Sequence, residues 1–139
     1  MKAYQHILLT TDFSKFSEEV AKKAISLAGH FNAGITLLHV IEHFPEEGAD
    51  TAAWVIAQNR RRLEAFAQSI PSARMIPMVR FSVKSVEDEI INVAREIKAN
   101  LIIVGAYSEN GVSILPSLNA KSIRDNAPCD VLIVHAESA

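Results

Sequence analysis

Short apolar runs alternate with amphipathic helical patterns along the chain, and this alternation constrains the fold more than any other feature. Strands separated by helices favour right-handed crossovers and a parallel sheet with helices on both faces. The run at 101–104 is apolar at every position, as expected for a strand covered on both faces. We therefore predict a single doubly wound α/β domain over residues 1–139, with five parallel strands at 7–10, 35–41, 75–83, 101–104 and 131–134.

The helical segments are recognised by apolar residues at three- and four-residue spacing. We expect Ser14 or Ser17 to cap the first helix, and Ser85 with Asp88 to form a capping box at the third. Pro77 predicts an edge position for the third strand, because proline has no N–H to give to a ladder. The spacing predicts helices at about 16–31, 50–70 and 86–97, and a short fourth helix that ends before residue 128.

Composition and charge exclude several classes of protein. The chain carries 14 Lys and Arg against 16 Asp and Glu, a formal charge of -2, which argues against nucleic acid as a partner. Its single cysteine cannot form an internal disulfide, and no cysteine or histidine ladder suits zinc. The apolar runs are too short to span a membrane, and residues 1–6 lack a signal-peptide pattern. We expect a cytoplasmic protein without membrane contact.

Several polar residues favour ordinary structural roles. His39 and His43 flank Glu42, but a strand end and a loop do not give the spacing of metal ligands, so no metal site is predicted. Cys129 has no neighbouring base and is expected to be a small buried side chain. The basic run at 60–62 would fan out around a helix and is expected to face solvent.

Four stretches of the sequence, spread over nearly the whole chain, form a recognisable set. They are Ile7-Leu8-Leu9-Thr10-Thr11-Asp12-Phe13-Ser14 with Ser17 and Ala24, Leu37-Leu38-His39-Val40-Ile41-Glu42, Ala99-Asn100-Leu101-Ile102-Ile103-Val104-Gly105, and Ala127-Pro128-Cys129-Asp130-Val131-Leu132-Ile133-Val134. In this order and at these separations they resemble the universal stress protein family. The resemblance implies a five-stranded parallel sheet of order 3-2-1-4-5 and usually a homodimer. Some members bind ATP and others lack detectable nucleotide.

The resemblance assigns one half of a nucleotide pocket to residues that this chain retains. In binding members, an aspartate after the first strand holds the ribose, and the backbone of a valine at the end of the second strand meets adenine. Those roles would fall on Asp12 and Val40, with Thr11 beside them. Asp12 has an equally good structural interpretation, in which its carboxylate caps the first helix without a ligand.

The phosphate half of the family signature is degenerate in this chain. The signature is Gly-x-x-Gly, nine residues and then Gly-Ser or Gly-Thr; here Gly105 is present and Ser108 replaces the second glycine. The closing pair falls on Leu118-Asn119, or one residue earlier on Ser117-Leu118. Glycines let consecutive N–H groups converge on an anion, and no Lys or Arg lies between residues 98 and 121. The residues that remain as candidates in a predicted loop at 105–116 and just after it are Gly105, Ser108, Gly111, Ser113 and Ser117.

Three classes of function follow. The leading hypothesis is a non-catalytic stress-response or regulatory protein, without a required cofactor, that acts through an unknown protein partner. The alternative is an ATP or AMP sensor with weak or no hydrolysis. An enzyme or phospho-receiver is disfavoured, because residues 80–84 contain no acceptor aspartate, residues 11–14 contain no glycine, and no nucleophile elbow, paired-carboxylate site or Walker loop occurs.

The last predicted strand favours dimerisation independently of the family. In the order 3-2-1-4-5 it lies at an edge, and it contains no charge, proline or glycine that would discourage pairing. A two-fold partner is the simplest explanation of such an edge. We expect a homodimer through Val131, Leu132, Ile133 and Val134.

Overall fold

A computed structural model of the chain describes residues 4–70, 75–109, 112–113 and 120–137. Strands and helices alternate in the predicted order, and each predicted helix is present. The elements are β1 (His6–Thr10), α1 (Ser17–Phe31), β2 (Gly34–Ile41), α2 (Ala49–Ser69), β3 (Met75–Phe81), α3 (Val86–Glu96), β4 (Leu101–Glu109), β5 (Val112–Ser113), α4 (Ala120–Asn126) and β6 (Asp130–Glu137).

The sheet confirms the predicted topology. Five parallel strands run in the order β3-β2-β1-β4-β6, which is the order 3-2-1-4-5 with β6 as the fifth predicted strand. In the register at the centre, Leu9 lies opposite Leu37 on one side and Ile103 on the other. Pro77 lies in β3, which pairs only with β2 in the described ranges, so the predicted edge position is confirmed.

Two apolar cores cover the two faces of this sheet, because successive side chains of a strand point to opposite faces. In β1, Ile7 and Leu9 enter one core, which is shared with α1 and α2. Leu8 enters the other core, which is shared with α3 and α4. The run at 101–104 is buried throughout, as its composition predicted. None of the helices in the described parts of the chain is long and apolar enough to cross a membrane.

The helix starts agree with the sequence at α3 and differ at α1. The Ser85 hydroxyl accepts a hydrogen bond from the backbone N–H of Asp88 at 3.0 Å, which confirms the Ser85 half of the predicted capping box. At α1 the N-cap position is Phe16, which has no capping side chain, so the prediction of a Ser14 or Ser17 cap is wrong. The Ser17 hydroxyl donates to Asp12 instead, and the Ser14 carbonyl accepts from the N–H of Ser17.

The predicted loop at 105–116 is wrong for the residues that the structure describes there. Strand β4 continues from 101 to Glu109 and pairs with β6 as far as Ser108 and Glu137. It also pairs with β5 in antiparallel orientation, with Glu109 opposite Val112. The two residues between them are Asn110-Gly111, the commonest sequence signal for a two-residue β-hairpin, and our sequence analysis missed it.

Candidate functional site

The strand order reverses between β1 and β4, and ligands of doubly wound sheets bind beyond the carboxyl ends of the strands at such a point. Three segments bound this crevice in the described part of the chain. They are the turn after β1, the end of β2 and the second half of β4. These three segments contain five of the eight nucleotide-site residues expected from the sequence; Ser113 lies in β5, and Gly111 and Ser117 lie outside the described residues.

The turn after β1 is held by its own polar groups. The Thr11 N–H donates to the carbonyl of Leu38 at 2.9 Å, so β1 stays attached to β2 for one further residue. The buried Thr11 hydroxyl then accepts from the N–H of Phe13 at 3.1 Å. Phe13 adopts φ 63°, a left-handed conformation that costs roughly 1–2 kcal/mol for a residue with a Cβ. The chain therefore turns sharply away from the sheet and leaves the edge of β4 beyond this point free of β1.

Phe13 is held in this conformation by contacts on its ring. The imidazole of His39 lies 4.5 Å from it between ring centroids, with the two planes inclined at 47°. The guanidinium of Arg62, from α2, lies 4.0 Å from the ring centroid. A cation over an aromatic ring is worth about 0.5–2 kcal/mol, which offsets the backbone strain. The basic run at 60–62 was expected only to face solvent, and Arg62 is exposed but also packs on this turn.

Asp12 uses its two carboxylate oxygens differently. Oδ1 accepts from the N–H of Ser14 at 3.0 Å and from the hydroxyl of Ser17 at 3.1 Å, which ties the turn to the first residue of α1. Oδ2 is fully buried and has no hydrogen-bond partner within the described residues. A buried acceptor without a donor costs about 1–3 kcal/mol. The carboxylate therefore has a structural role through Oδ1 and keeps one strong acceptor for another donor.

His39 belongs to this site, and the sequence analysis considered it only as a metal ligand. Its Nδ1 lies 2.8 Å from the carbonyl oxygen of Thr11; a carbonyl only accepts, so Nδ1 carries the proton. Burial lowers the pKa of His39, and the Arg62 charge lowers it further, against the raising effects of the Thr11 carbonyl and Asp12. The ring therefore favours its neutral form. Thr11 lies 28 positions away in sequence, and no local pattern indicates this contact.

Val40 lies where the resemblance places the adenine contact. Its side chain is half-buried and packs against the core that α3 covers. On its β3 side it lies opposite Arg80. On its β1 side, pairing ends at Leu38, because β1 turns away after Thr11. Within the described residues the backbone of this strand end therefore keeps one unpaired edge facing the crevice.

The β4 side of the crevice is built by a straight strand. Gly105 lies opposite Val134 of β6, and Ser108 lies opposite Glu137 on one edge and Ser113 on the other. Successive N–H groups of a strand point to opposite edges, so they do not converge on one anion as the N–H groups of a phosphate-binding loop do. Gly105, Ser108 and Ser113 therefore belong to a ladder and not to a phosphate cradle.

The histidines, acidic residues and cysteine considered as metal ligands or reactive groups do not add a second site in the described residues. The structure groups no three or more His, Cys, Asp or Glu side chains at metal-binding distances among the residues it describes. Cys129 is half-buried just before β6, and burial together with the neighbouring Asp130 raises the pKa of its thiol. A raised pKa disfavours the reactive thiolate, so Cys129 behaves as a packing residue.

The fold and the crevice define a doubly wound α/β protein with a candidate ligand site at the strand-order reversal. The profile of the Universal stress protein family matches residues 3–135, nearly the whole chain. The chain belongs to this family, as its motifs indicated.

Individual relatives agree with this assignment. Universal stress protein A homolog 1 of Coxiella burnetii is 30% identical over 142 residues, which cover 94% of this chain and 96% of the relative. A crystal structure of a universal stress protein in complex with cAMP shares the fold, with a TM-score of 0.71 and 21% identity over 96% of this chain and 98% of that one. The universal stress protein from Archaeoglobus fulgidus in complex with dAMP has a TM-score of 0.69 and 17% identity over 95% and 98%.

Proposed function

We propose that this chain is a non-catalytic, cytoplasmic universal stress protein that acts as a regulatory homodimer. The observation that supports it best is the continuation of β4 as a strand through Glu109. The N–H groups that a phosphate-binding loop would gather are directed to two opposite edges there. A triphosphate would lack the preorganised donors that stabilise charge in phosphoryl transfer.

The test of the non-catalytic part is nucleotide turnover. We expect purified wild-type protein with ATP and Mg²⁺ to release phosphate no faster than the Asp12→Asn variant. This variant removes the carboxylate of the turn after β1, so its rate of phosphate release serves as the background rate. Turnover at ordinary enzymatic rates, about 1 s⁻¹ or more, that the variant lacks would contradict the proposal.

The proposed dimer forms along β6. This strand pairs only with β4 in the described ranges, so its outer edge has no partner there. Val131 and Ile133 pack on one face of the sheet, and Leu132 and Val134 pack on the other. Because both faces are already covered, a second copy would join through backbone hydrogen bonds along the edge.

Two neighbouring proline variants test this arrangement. Successive N–H groups of a strand point to opposite edges. One of the two variants, Leu132→Pro and Ile133→Pro, therefore removes an N–H that donates to β4, and the other removes an N–H on the outer edge. We expect one variant to lose thermal stability and the other to lose dimer mass in sedimentation velocity while staying folded. A wild-type protein that sediments as a monomer at every concentration over a roughly hundredfold dilution would contradict the dimer.

A second candidate function is a nucleoside or nucleotide sensor without turnover, and Asp12 favours it. Its Oδ2 is an acceptor without a partner in the described residues, and a ribose hydroxyl is a suitable donor. The structural relatives bound to cAMP and dAMP supply the ligand class. Because Oδ2 has no exposed surface, a ligand would have to displace the atoms that cover it.

The sensor is tested with Asp12→Asn, in which the amide oxygen can still accept from Ser14 and Ser17 while an NH₂ group replaces Oδ2. An NH₂ group cannot accept from a hydroxyl, so we expect about a tenfold loss of nucleoside affinity by calorimetry, with the melting temperature retained. Asp50→Asn, at an exposed position in the first turn of α2, is the control for loss of one charge. Equal affinities in all three proteins would exclude Asp12 from binding.

A further inference from the structure

The five parallel strands have two outer edges in the described part of the chain, β3 at one end and β6 at the other. Each outer edge presents backbone N–H and C=O groups to which a strand of another chain can add. The apolar run of β6 at 131–134 contains no charge or proline, whereas β3 contains Pro77 and Arg80. The two edges therefore differ in how they would receive a second copy of the chain.

The direction of the backbone groups in β3 follows from one hydrogen bond. The N–H of Ser82, the residue after β3, donates to the carbonyl of Ile41 in β2 at 2.9 Å. The two strands pair over seven consecutive positions without interruption, so the directions alternate regularly along β3. Even-numbered residues of β3 therefore point their N–H and C=O groups toward β2, and odd-numbered residues point theirs outward. Because Pro77 is odd-numbered, its missing N–H lies on the outer edge and costs the sheet no hydrogen bond.

Arg80 is the only charged residue of β3, and its charge is used on a face of the sheet. Its Nη1 lies 3.5 Å from the carboxylate of Glu89, and its Nη2 is bonded to the carboxylate of Glu96. Both acidic residues belong to α3, which covers that face. A charge that is compensated in this way opposes edge pairing less than a free lysine on the edge would. Pro77 is therefore the main obstacle to pairing along β3.

Without Pro77, β3 would be an apolar strand with an unbroken outer edge. Its residues other than Pro77 and Arg80 are Met, Ile, Val and Phe, and the side chain of Ile76 is 60% exposed. Segments of high strand propensity, low charge and no proline are those that pair between chains. The proline removes one of the outward N–H groups, and its ring carbon Cδ stands where the hydrogen would point toward a neighbouring strand.

We propose that Pro77 closes the β3 edge to a second copy of the chain, so that copies join only through β6. The inference rests on the dimer in the function proposed above. A pair that uses β6 of both copies closes on itself as a two-fold dimer. If β3 could pair in the same way at the other end of the sheet, each dimer would join further dimers and the assembly would not close. Pro77 therefore keeps the assembly finite.

The experiment measures the mass of the full chain by sedimentation velocity over a roughly hundredfold range of concentration. Pro77→Val restores the outward N–H in a residue that favours strands. We expect the mass of this variant to rise with concentration and to exceed that of the wild type at least about twofold, because pairing of two wild-type assemblies doubles the mass. Met78→Val is the matched control: its N–H points toward β2, so we expect the mass of the wild type.

A relocated proline tests whether the outer edge is the cause. Pro77→Val/Val79→Pro moves the proline by two residues to another outward-pointing position, so we expect a folded protein with the mass of the wild type. If Pro77→Val precipitates, Pro77→Thr is measured in its place, because threonine also has an N–H and its side chain is polar. If the double variant does not fold, the comparison of Pro77→Thr with Met78→Val decides.

The outcomes separate this proposal from the proposed dimer. Equal masses of the wild type, Pro77→Val and Pro77→Thr at every concentration would overturn the role of Pro77 and leave the dimer through β6 untouched. Growth of Met78→Val, or growth that the relocated proline does not reverse, would also overturn it, since the apolar side chains would then drive association. A monomeric wild type that becomes a dimer in Pro77→Val would refute the dimer through β6 and support the role of Pro77.

Discussion

The two sides of the crevice end their strands in different ways. On the β1 and β2 side, strand pairing stops early, and side chains complete the backbone hydrogen bonds: Thr11 serves Phe13, Asp12 serves Ser14, and His39 serves the Thr11 carbonyl. On the β4 and β6 side, the ladder continues to the pair of Ser108 with Glu137. The β1 and β2 side thus has polar side-chain atoms at its strand ends, whereas on the β4 and β6 side the backbone continues to pair within the sheet.

The largest expected effect on stability comes from β4, the strand that pairs with β1 on one side and with β6 on the other. Ile103 is fully buried, lies opposite Leu9 of β1 and Leu132 of β6, and belongs to the core beneath the turn after β1. We expect Ile103→Ala to lower the free energy of unfolding by about 2–5 kcal/mol in urea denaturation, because it leaves a cavity. Val83→Ala, at a side chain that is 91% exposed, should change it by less than about 0.5 kcal/mol. Similar losses of unfolding free energy in both variants would show that the buried side chain of β4 does not stabilise the two sides of the crevice.

The strand order was implied by the family resemblance and not by any local pattern. The two covered faces, the edge position of Pro77 and the Ser85 cap could be predicted from the residues themselves, because each of these three features depends on a local pattern with a direct physical cause. Alternation places Leu8 and Leu9 on opposite faces, proline cannot donate to a ladder, and a serine before an acidic first turn accepts an N–H.

The site was less predictable because its contacts join distant segments. Ser17 has the residue type of a cap, but it is the first residue of α1, and its hydroxyl donates to Asp12, a tertiary contact that helix patterns do not report. His39 meets Thr11 only through the pairing of β1 with β2. The extension of β4 was not predicted for another reason: a glycine after the apolar run at 101–104 indicates the start of a loop, although Gly105 lies inside the strand and pairs with Val134.

Removal of the Ser17 hydroxyl should have a smaller effect on stability, and this effect belongs to the β1 and β2 side of the crevice. Ser17 is 3% exposed, and its hydroxyl donates to the Asp12 carboxylate. We expect Ser17→Ala to cost about 1–2 kcal/mol of unfolding free energy, since a hydrogen bond to a charged group is lost. Ser26→Ala, at an exposed position in the same helix, should be neutral or slightly stabilising, because alanine is the better helix former. A Ser17 variant as stable as the Ser26 variant would mean that Asp12 needs only the Ser14 N–H.

The smallest expected effect is a pH dependence of the unfolding free energy that comes from His39, on the β1 and β2 side of the crevice. Burial lowers the pKa of His39 in the folded chain below its value of about 6.5 in the unfolded chain. Between the two pKa values the unfolded chain binds more protons, so stability rises with pH there. The contribution of neutral His39 is therefore fully present above about pH 6.5 and is lost progressively as the pH falls toward the lowered value in the folded chain.

His39→Asn isolates this contribution, because the Asn amide can still donate to the Thr11 carbonyl but does not titrate. We expect the wild type to lose more unfolding free energy than this variant when urea denaturation is repeated from about pH 7.5 to about pH 5.5. The difference should arise entirely below about pH 6.5, since the neutral ring and the amide make the same hydrogen bond above it. Parallel pH profiles would show that His39 charges as readily in the folded chain as in the unfolded one.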